Sequence, residues 1–366
     1  MILKKLKNLN LLIIFLVILL SFIGSAGLYS AADGSYEPWA SNHLIRTFTF
    51  VLIAILISLI DIKFFYKYAY FLFLFTLALL ISVEIFGVIG KGATRWISFL
   101  GFNIQPSELI KISIVLALAK FYHDLKIDNL YRIQYLIFPF FIIFLPFILV
   151  LSQPDLGTSL SILILGIFVL FSAGLRIWKF VLGFVISISS IPFLLNFVKP
   201  YQKDRIISFL NPELDPLGQG YQLMQSKIAL GSGGASGKGF LKGTQSYLEY
   251  LPEKQTDFIF TLIGEEFGFI GSIFLIMLFF ILISIFFYIS IKTTHFFGKI
   301  IVIGFASNLF IYVFMNIAMV SGIMPVVGIP LPFISYGGSV LISVMISIGL
   351  VLNVEINYNI EKLKNA

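Results

Sequence analysis

The residues that could do chemistry are few, because only 12% of the 366 residues are charged. Asp257 lies in LEYLPEKQTDFIF (248–260), where a polar stretch turns into a long apolar run, three residues after Lys254. Two readings of this acid stand side by side. Aspartate is a favoured helix N-cap, and FIFTLIGEEFGF follows as a helix. Alternatively, a carboxylate that Phe258, Phe260 and a bilayer partly shield from water could act as a general base toward a sugar hydroxyl. Lys254 and Lys238 could then balance phosphate charge. Glu265 and Glu266 come two turns later, and on a continuous helix Glu265, at i+8, would share the face of Asp257.

Other ionisable groups fall within or beside apolar runs. Glu108 and Lys111 stand at i, i+3 in PSELIKISIVLALAKF, so they can pair on one helix face. They are either a structural ion pair or part of a site, since charges at membrane depth are functional-site candidates by default. Glu84 needs a partner or a proton. Asp155, in LSQPDLGT, reads first as a helix cap. KGATRWISFLGF (91–102) offers Arg95 and Trp96, although tryptophan at an interface is normally an anchor. GSGGASGKGF (231–240) resembles a phosphate-binding loop but fails its pattern. Ser232 stands where the first glycine belongs, and Gly239 follows Lys238 where serine or threonine is needed. It reads either as a turn requiring positive φ or as a backbone cradle or hinge near an anion.

The elements that must position these groups are apolar helices. Hydrophobic residues make up 59% of the chain, and the mean hydropathy is +1.01. This describes an all-α polytopic membrane protein of about ten spans: 9–28, 45–62, 67–88, 107–122, 133–152, 156–174, 177–198, 258–291, 299–322 and 333–354. The eighth is long enough that part of it must tilt or leave the bilayer. The start, MILKKLKNLN followed by an apolar run, has the look of a signal peptide but is read as an uncleaved first span.

With no cysteine, disulfides and thiolate metal sites are excluded, and His43, His123 and His295 are too scattered for a zinc site. The net charge of +7 does not indicate nucleic acid. The basic residues sit in loops, as the positive-inside rule expects. Lys4, Lys5, Lys7, Lys63, Lys67, Lys120, Lys126, Arg132, Arg176, Lys179, Lys292, Lys299, Lys362 and Lys364 would then be inside. Only Arg46, Lys91 and Arg95 would occupy short outer segments. Both termini are expected in the cytoplasm. Residues 199–257 form one long outer loop. Its turn signals (LNPELDPLGQG) and amphipathic YQLMQSKIAL mark it as structured and packed on the outer face. The whole chain reads as one integral membrane domain.

Five stretches together resemble the SEDS family, which includes RodA, FtsW and SpoVE: GATRWISFLGFNIQPSELIK, QPDLGTSL, IALGSGGASGKGFLKGTQS, LPEKQTDFIFTLIGEEFGFIG and MPVVGIPLPFISYGGS. They occur in family order from the second span onward, and QPDLGT and GKGFLKGTQS are more similar to RodA than to FtsW. The resemblance implies a peptidoglycan glycosyltransferase of the bacterial cytoplasmic membrane. Such a protein polymerises lipid II on the outer face and works with a class B penicillin-binding protein and other elongation-complex proteins. It implies that Asp257 is the essential acid and that Gln105, Glu108 and Lys111 shape the cavity. The acid would deprotonate the 4-hydroxyl of the acceptor GlcNAc. Arg95, Lys238 and Lys254, or a divalent cation (Mg or Mn), would offset leaving-group charge. Two departures matter. Gln255 replaces the family's histidine before TDFIF, and Asn103 stands where some relatives carry a base. A lipid II flippase and a non-catalytic scaffold are the rival readings.

Overall fold

The computed structural model describes residues 2–90, 93–99, 102–126, 132–194, 200–215, 218–247 and 250–365. Lys91, expected on the outer face, lies outside the described residues. A short α1 (Ile2–Lys7) precedes α2 (Leu11–Ala31), α3 (Trp39–Leu59) and α4 (Ile62–Phe86). After a small sheet come α5 (Pro106–Asp124), α6 (Ile137–Ser152), α7 (Leu156–Ser172) and α8 (Ile177–Leu194). The long loop holds α9 (Pro200–Leu210), α10 (Gln219–Ser232) and α11 (Thr244–Tyr247). Three long helices close the chain: α12 (Ile259–Lys292), α13 (Phe296–Val320) and α14 (Gly338–Asn365).

Each of the ten expected segments holds a helix. Seven are long and apolar enough to cross a membrane, among the described residues, rather than ten. Those on α7 and α8 are apolar but shorter. α5 carries too much charge to qualify, and it is buried on nearly every face. The helices α5 and α13 form the middle of the bundle. α13 packs against α5, α7, α12 and α14, while α3 lies on α2 and α14. YQLMQSKIAL is helical as expected, within α10.

On sequence, the stretch between the third span (67–88) and the fourth (107–122) reads as a connection. It forms a three-stranded antiparallel sheet, β1 (Val88–Gly90), β2 (Ala93–Phe99) and β3 (Phe102–Ile104). Val88 pairs with Trp96, and Ile97 and Ser98 with Ile104 and Asn103. The β-branched and aromatic residues of TRWISF favour a pleated, half-buried surface over a helix.

The eighth segment is not one long rod. Gly268 takes φ 65°, ψ −160°, and breaks α12 there. A break frees the amides of Phe269 and Ile270 and the carbonyls of Glu265 and Glu266, which an unbroken helix would join to each other. The glycine-rich stretch after α10 takes up all four. Phe269 and Ile270 N–H donate to the Gly234 and Ala235 carbonyls at 2.9 and 3.1 Å. The Glu265 and Glu266 carbonyls accept from Lys238 and Gly239 N–H at 3.0 and 2.9 Å. A Cβ on Gly237 would overlap the Glu266 carbonyl, and one on Gly268 would overlap the Gly237 amide. The motif that resembled a phosphate loop is therefore the seat of a helix break. With the Gly237 amide bonded to Gly233 O at 2.8 Å, the amides of 237–239 are committed to protein, which rules out the anion-cradle reading for them.

Candidate active site

Asp257 lies two residues before α12, next to the N-cap Phe258, which makes no side-chain capping bond. Three consecutive carbonyls fix the backbone here. Gln255 O accepts from Tyr336 N–H at 2.9 Å, Thr256 O from the Ser335 hydroxyl at 2.6 Å, and Asp257 O from Asn316 Nδ2 at 2.8 Å. Asn316, fully buried in α13, also donates to Ile329 O at 2.7 Å. It thereby ties Asp257 to the irregular segment 321–337 between α13 and α14. That segment gives the carboxylate room. Gly328, at φ 72°, places the spot its Cβ would fill only 3.3 Å from Asp257 Oδ2. Any side chain there would push on the acid, and the positive φ itself favours glycine.

The same segment is held from the other side. His43, buried in α3, donates Nε2–H to Phe333 O at 2.8 Å, and Phe333 is a non-glycine residue at φ 66°. Such strain persists only where the surroundings over-determine it, and it concentrates at functional sites. Ser339, at the start of α14, accepts from Gln105 N–H at 3.1 Å and donates to Asn103 O at 3.0 Å. Gln105 Nε2 in turn donates to Asp155 Oδ2 at 3.1 Å. Asp155 caps α7 by accepting from Thr158 N–H and Oγ1 at 3.1 and 2.9 Å. Arg95 braces the turn before that cap, donating to the carbonyls of Gln153 (3.3 Å) and Pro154. Trp96 is half-buried on β2, next to Arg95.

Glu108 and Lys111 form a buried pair at 2.8 Å, with side chains 3% and 1% exposed. The Tyr312 hydroxyl closes a triad, donating to Glu108 and accepting from Lys111. Tyr312 and Asn316 are one turn apart on α13, so the triad and the brace on Asp257 share one helix face. The triad is almost fully buried, and its three polar groups are bonded to one another in this conformation. Lys238 lies elsewhere, 2.8 Å from Glu265, whose Oε1 also accepts from Thr244 Oγ1 and Gln245 N–H. Glu265 is fully buried by these contacts, so it does not share the environment of Asp257. The reason is that the helix begins only after Asp257, and the glycine seat captures the glutamate. Lys254 reaches Asp33, two residues past the end of α2, at 3.4 Å. Glu84 accepts from the Ser152 hydroxyl at 3.0 Å.

The structure thus gathers Asp257, Gln105, Asp155 and Arg95 around the 321–339 segment. It sets Glu108 and Lys111 below them and turns Lys238, Lys254 and Glu265 toward other partners. Asn316, Tyr312 and Gly328 escaped the sequence reading. A signal existed for two of them, because Asn308, Tyr312 and Asn316 recur every four residues in an otherwise apolar run. Among the described residues, no three His, Cys, Asp or Glu side chains gather to hold a metal, so the divalent cation offered above as an alternative to the basic residues finds no all-protein cage here.

A family model described as "Cell cycle protein" and labelled for FtsW, RodA and SpoVE matches residues 6–360. The chain is 46% identical over 279 residues to the peptidoglycan glycosyltransferase MrdB of Escherichia coli (strain K12), covering 75% of this chain and 74% of that one. Its fold is similar to a chain solved under the description "Structural coordination of polymerization and crosslinking by a peptidoglycan synthase complex". That match has a TM-score of 0.83 and 31% identity, over 96% of this chain and 98% of the other. The rod shape determining protein RodA of Thermus thermophilus matches with a TM-score of 0.71 and 26% identity, over 95% and 96%.

Proposed function

The chain belongs to the FtsW, RodA and SpoVE family and is a peptidoglycan glycosyltransferase; from that premise we propose that it polymerises lipid II with Asp257 as general base. Asp257 takes the proton from the 4-hydroxyl of the acceptor GlcNAc. The oxygen attacks C1 of the donor MurNAc from the face opposite the pyrophosphate. The C1–O bond to the pyrophosphate breaks, its electron pair leaves with the lipid pyrophosphate, and the product is a β-1,4 link with inverted configuration. Asp257 then returns its proton to water. The supporting observation is the triple brace on 255–257, which holds the carboxylate's backbone from α13 and from the 321–337 segment at once. A base must be held near hydrogen-bond reach of the proton it removes, and pre-set backbone geometry lowers the cost of getting there.

The reaction is assigned to the outer face of the cytoplasmic membrane, with both termini in the cytoplasm. The support is the lysine and arginine bias of the short loops. The chain works beside a class B penicillin-binding protein and other elongation proteins in building the side wall. For the partner, the support is the structural likeness to a chain from a peptidoglycan synthase complex.

The test is polymerisation of labelled lipid II by the purified chain with its class B partner, comparing wild type with Asp257→Asn. Glycan strands from wild type and none from a variant of unchanged thermal stability is the expected result. Strands from both would remove Asp257 as the base. If neither makes strands, the flippase or scaffold reading gains, and lipid II translocation in liposomes decides between them.

A further inference from the structure

Arg46 lies in α3, seven residues from its start, which puts it about 10 Å along the helix from the loop-bearing end. A cation at that depth is expensive and normally has a partner. Among the described residues no carboxylate stands within ion-pair range of it. The guanidinium instead lies over the Tyr336 ring, 5.0 Å from its centroid. Its Nη1 is 3.3 Å from where a Cβ on Gly338 would be, so the glycine backbone passes directly against it. Next door, a Cβ on Gly337 would meet no atom within 4 Å, which means open space beside the cation. Arg46 is itself only half-buried, so part of its side chain is accessible.

This arrangement is fixed to the base. Tyr336 N–H bonds Gln255 O, two residues before Asp257, and the Ser335 hydroxyl bonds Thr256 O. Ser339 is tied to Gln105 and Asn103. His43, one turn before Arg46 on the same face of α3, holds Phe333. Three other candidate cations have acidic or carbonyl partners: Lys238 has Glu265, Lys254 has Asp33 and Arg95 has the 153–155 turn. A half-buried arginine over an aromatic face, without a carboxylate and facing open space, has the chemistry of a phosphate-oxygen receptor. Its planar fork can offer two parallel N–H groups to one diphosphate.

We propose that Arg46 binds the diphosphate of the lipid-linked donor, holding the leaving group while Asp257 acts at the acceptor. The proposal rests on the transferase reading and adds the residue that receives the negative charge released when the C1–O bond breaks. Glycines at 337 and 338 leave the diphosphate room against the backbone.

The experiment measures binding to the full chain in phosphatidylcholine nanodiscs. The probes are undecaprenyl pyrophosphate and, as the uncharged control, undecaprenol. Each is tested with and without added phosphatidylglycerol. Arg46→Gln is expected to weaken the pyrophosphate lipid at least tenfold and leave undecaprenol unchanged. Arg46→Lys, which keeps charge but loses the fork, should fall between and guards against a folding defect in the glutamine variant. Asp257→Asn should bind the pyrophosphate lipid as wild type does while making no strands. The proposal is overturned if Arg46→Gln binds the pyrophosphate lipid normally or loses both lipids equally. It is also overturned if phosphatidylglycerol competes away the arginine-dependent binding, which would make the site a headgroup anchor. Failure of Asp257→Asn to block strands, with the Arg46 effect intact, would sink the base assignment and leave the diphosphate site standing.

Discussion

Asn316 and Asp257, 59 residues apart, are joined by one hydrogen bond from the Asn316 amide to the Asp257 backbone carbonyl at 2.8 Å. The same amide nitrogen reaches Ile329 O at 2.7 Å, so one side chain sets the spacing between the acid and the segment that carries Gly328. Its Oδ1 is buried and has no partner among the described residues. The asparagine is therefore oriented wholly by what it donates, and the two acceptors it serves are both backbone.

Replacing Asn316 should separate binding from catalysis. Asn316→Ala leaves two carbonyls without their donor, at about 1–3 kcal/mol for each that is buried. Asn316→Asp should be worse, because it places a carboxylate against two carbonyl oxygens. The expected outcome is a fall of tenfold or more in strand synthesis, with lipid II affinity within about twofold of wild type. Polymerisation kinetics and nanodisc binding on the same preparations check this. Equal loss in both assays would point to general misfolding.

The buried Glu108–Lys111–Tyr312 triad should behave as a unit. Lys111→Met strands Glu108 in a dry interior, and removing one member of a buried pair typically destabilises by about 3–5 kcal/mol. Adding Glu108→Gln should recover part of that loss, since no unpaired charge remains. Tyr312→Phe removes one hydroxyl from both partners and should lower stability by about 1–3 kcal/mol. Thermal unfolding in detergent of the single and double variants gives the cycle. Additive losses would show that the three residues do not couple.

The ten helices were legible because long apolar runs between polar breaks leave little choice of structure in a bilayer. Asp257 was visible as an acid at such a break. Its setting was not, because the residues that brace it are polar groups of α13 and of a segment read only as a motif. TRWISF reads as loop because three short strands have too few residues to show a period. Helical arithmetic puts Glu265 beside Asp257 only where the helix already runs through 257, and α12 starts at Ile259. The glycine-rich 231–240 has the composition of an anion loop, and only the break at Gly268 reveals that its amides are needed for α12. Arg46 reads as an outer basic residue, but that no described carboxylate pairs with it is a fact of packing that no spacing encodes.

Gly268→Ala should unseat the glycine stretch from α12. At φ 65°, ψ −160° the backbone lies in a region essentially confined to glycine, so an alanine is strained by about 1–3 kcal/mol, and its methyl would overlap the Gly237 amide and the Ala235 carbonyl. The helix can relieve this only by straightening, which re-forms its internal bonds and releases Gly234, Ala235, Lys238 and Gly239. Limited proteolysis should show new cleavage within 233–243 in the variant and none there in wild type. An unchanged digestion pattern would mean that the break does not depend on the glycine.

Asp215 gives the long loop a defined response to acid. The Gly220 N–H, at 3.2 Å, and the Ser208 hydroxyl, at 2.9 Å, both donate to its Oδ2. These bonds favour the charged form and hold the carboxyl below its ordinary value of 3.8. Because the folded value is the lower one, the carboxylate's contribution is fully present above about pH 4, where it is ionised in both the folded and the open loop. It disappears as the pH falls through the folded value and the proton removes the acceptor charge. The contact joins the end of α9 to the start of α10, so the loss is local. Hydrogen-exchange protection of the amides at 219–222 should stay level from neutral pH down to about pH 5 and drop below about pH 4. Asp215→Asn keeps the size but not the charge. It should show the reduced protection already at neutral pH, with no further step on acidification. A wild-type step that persists in the variant would assign the acid response to another group.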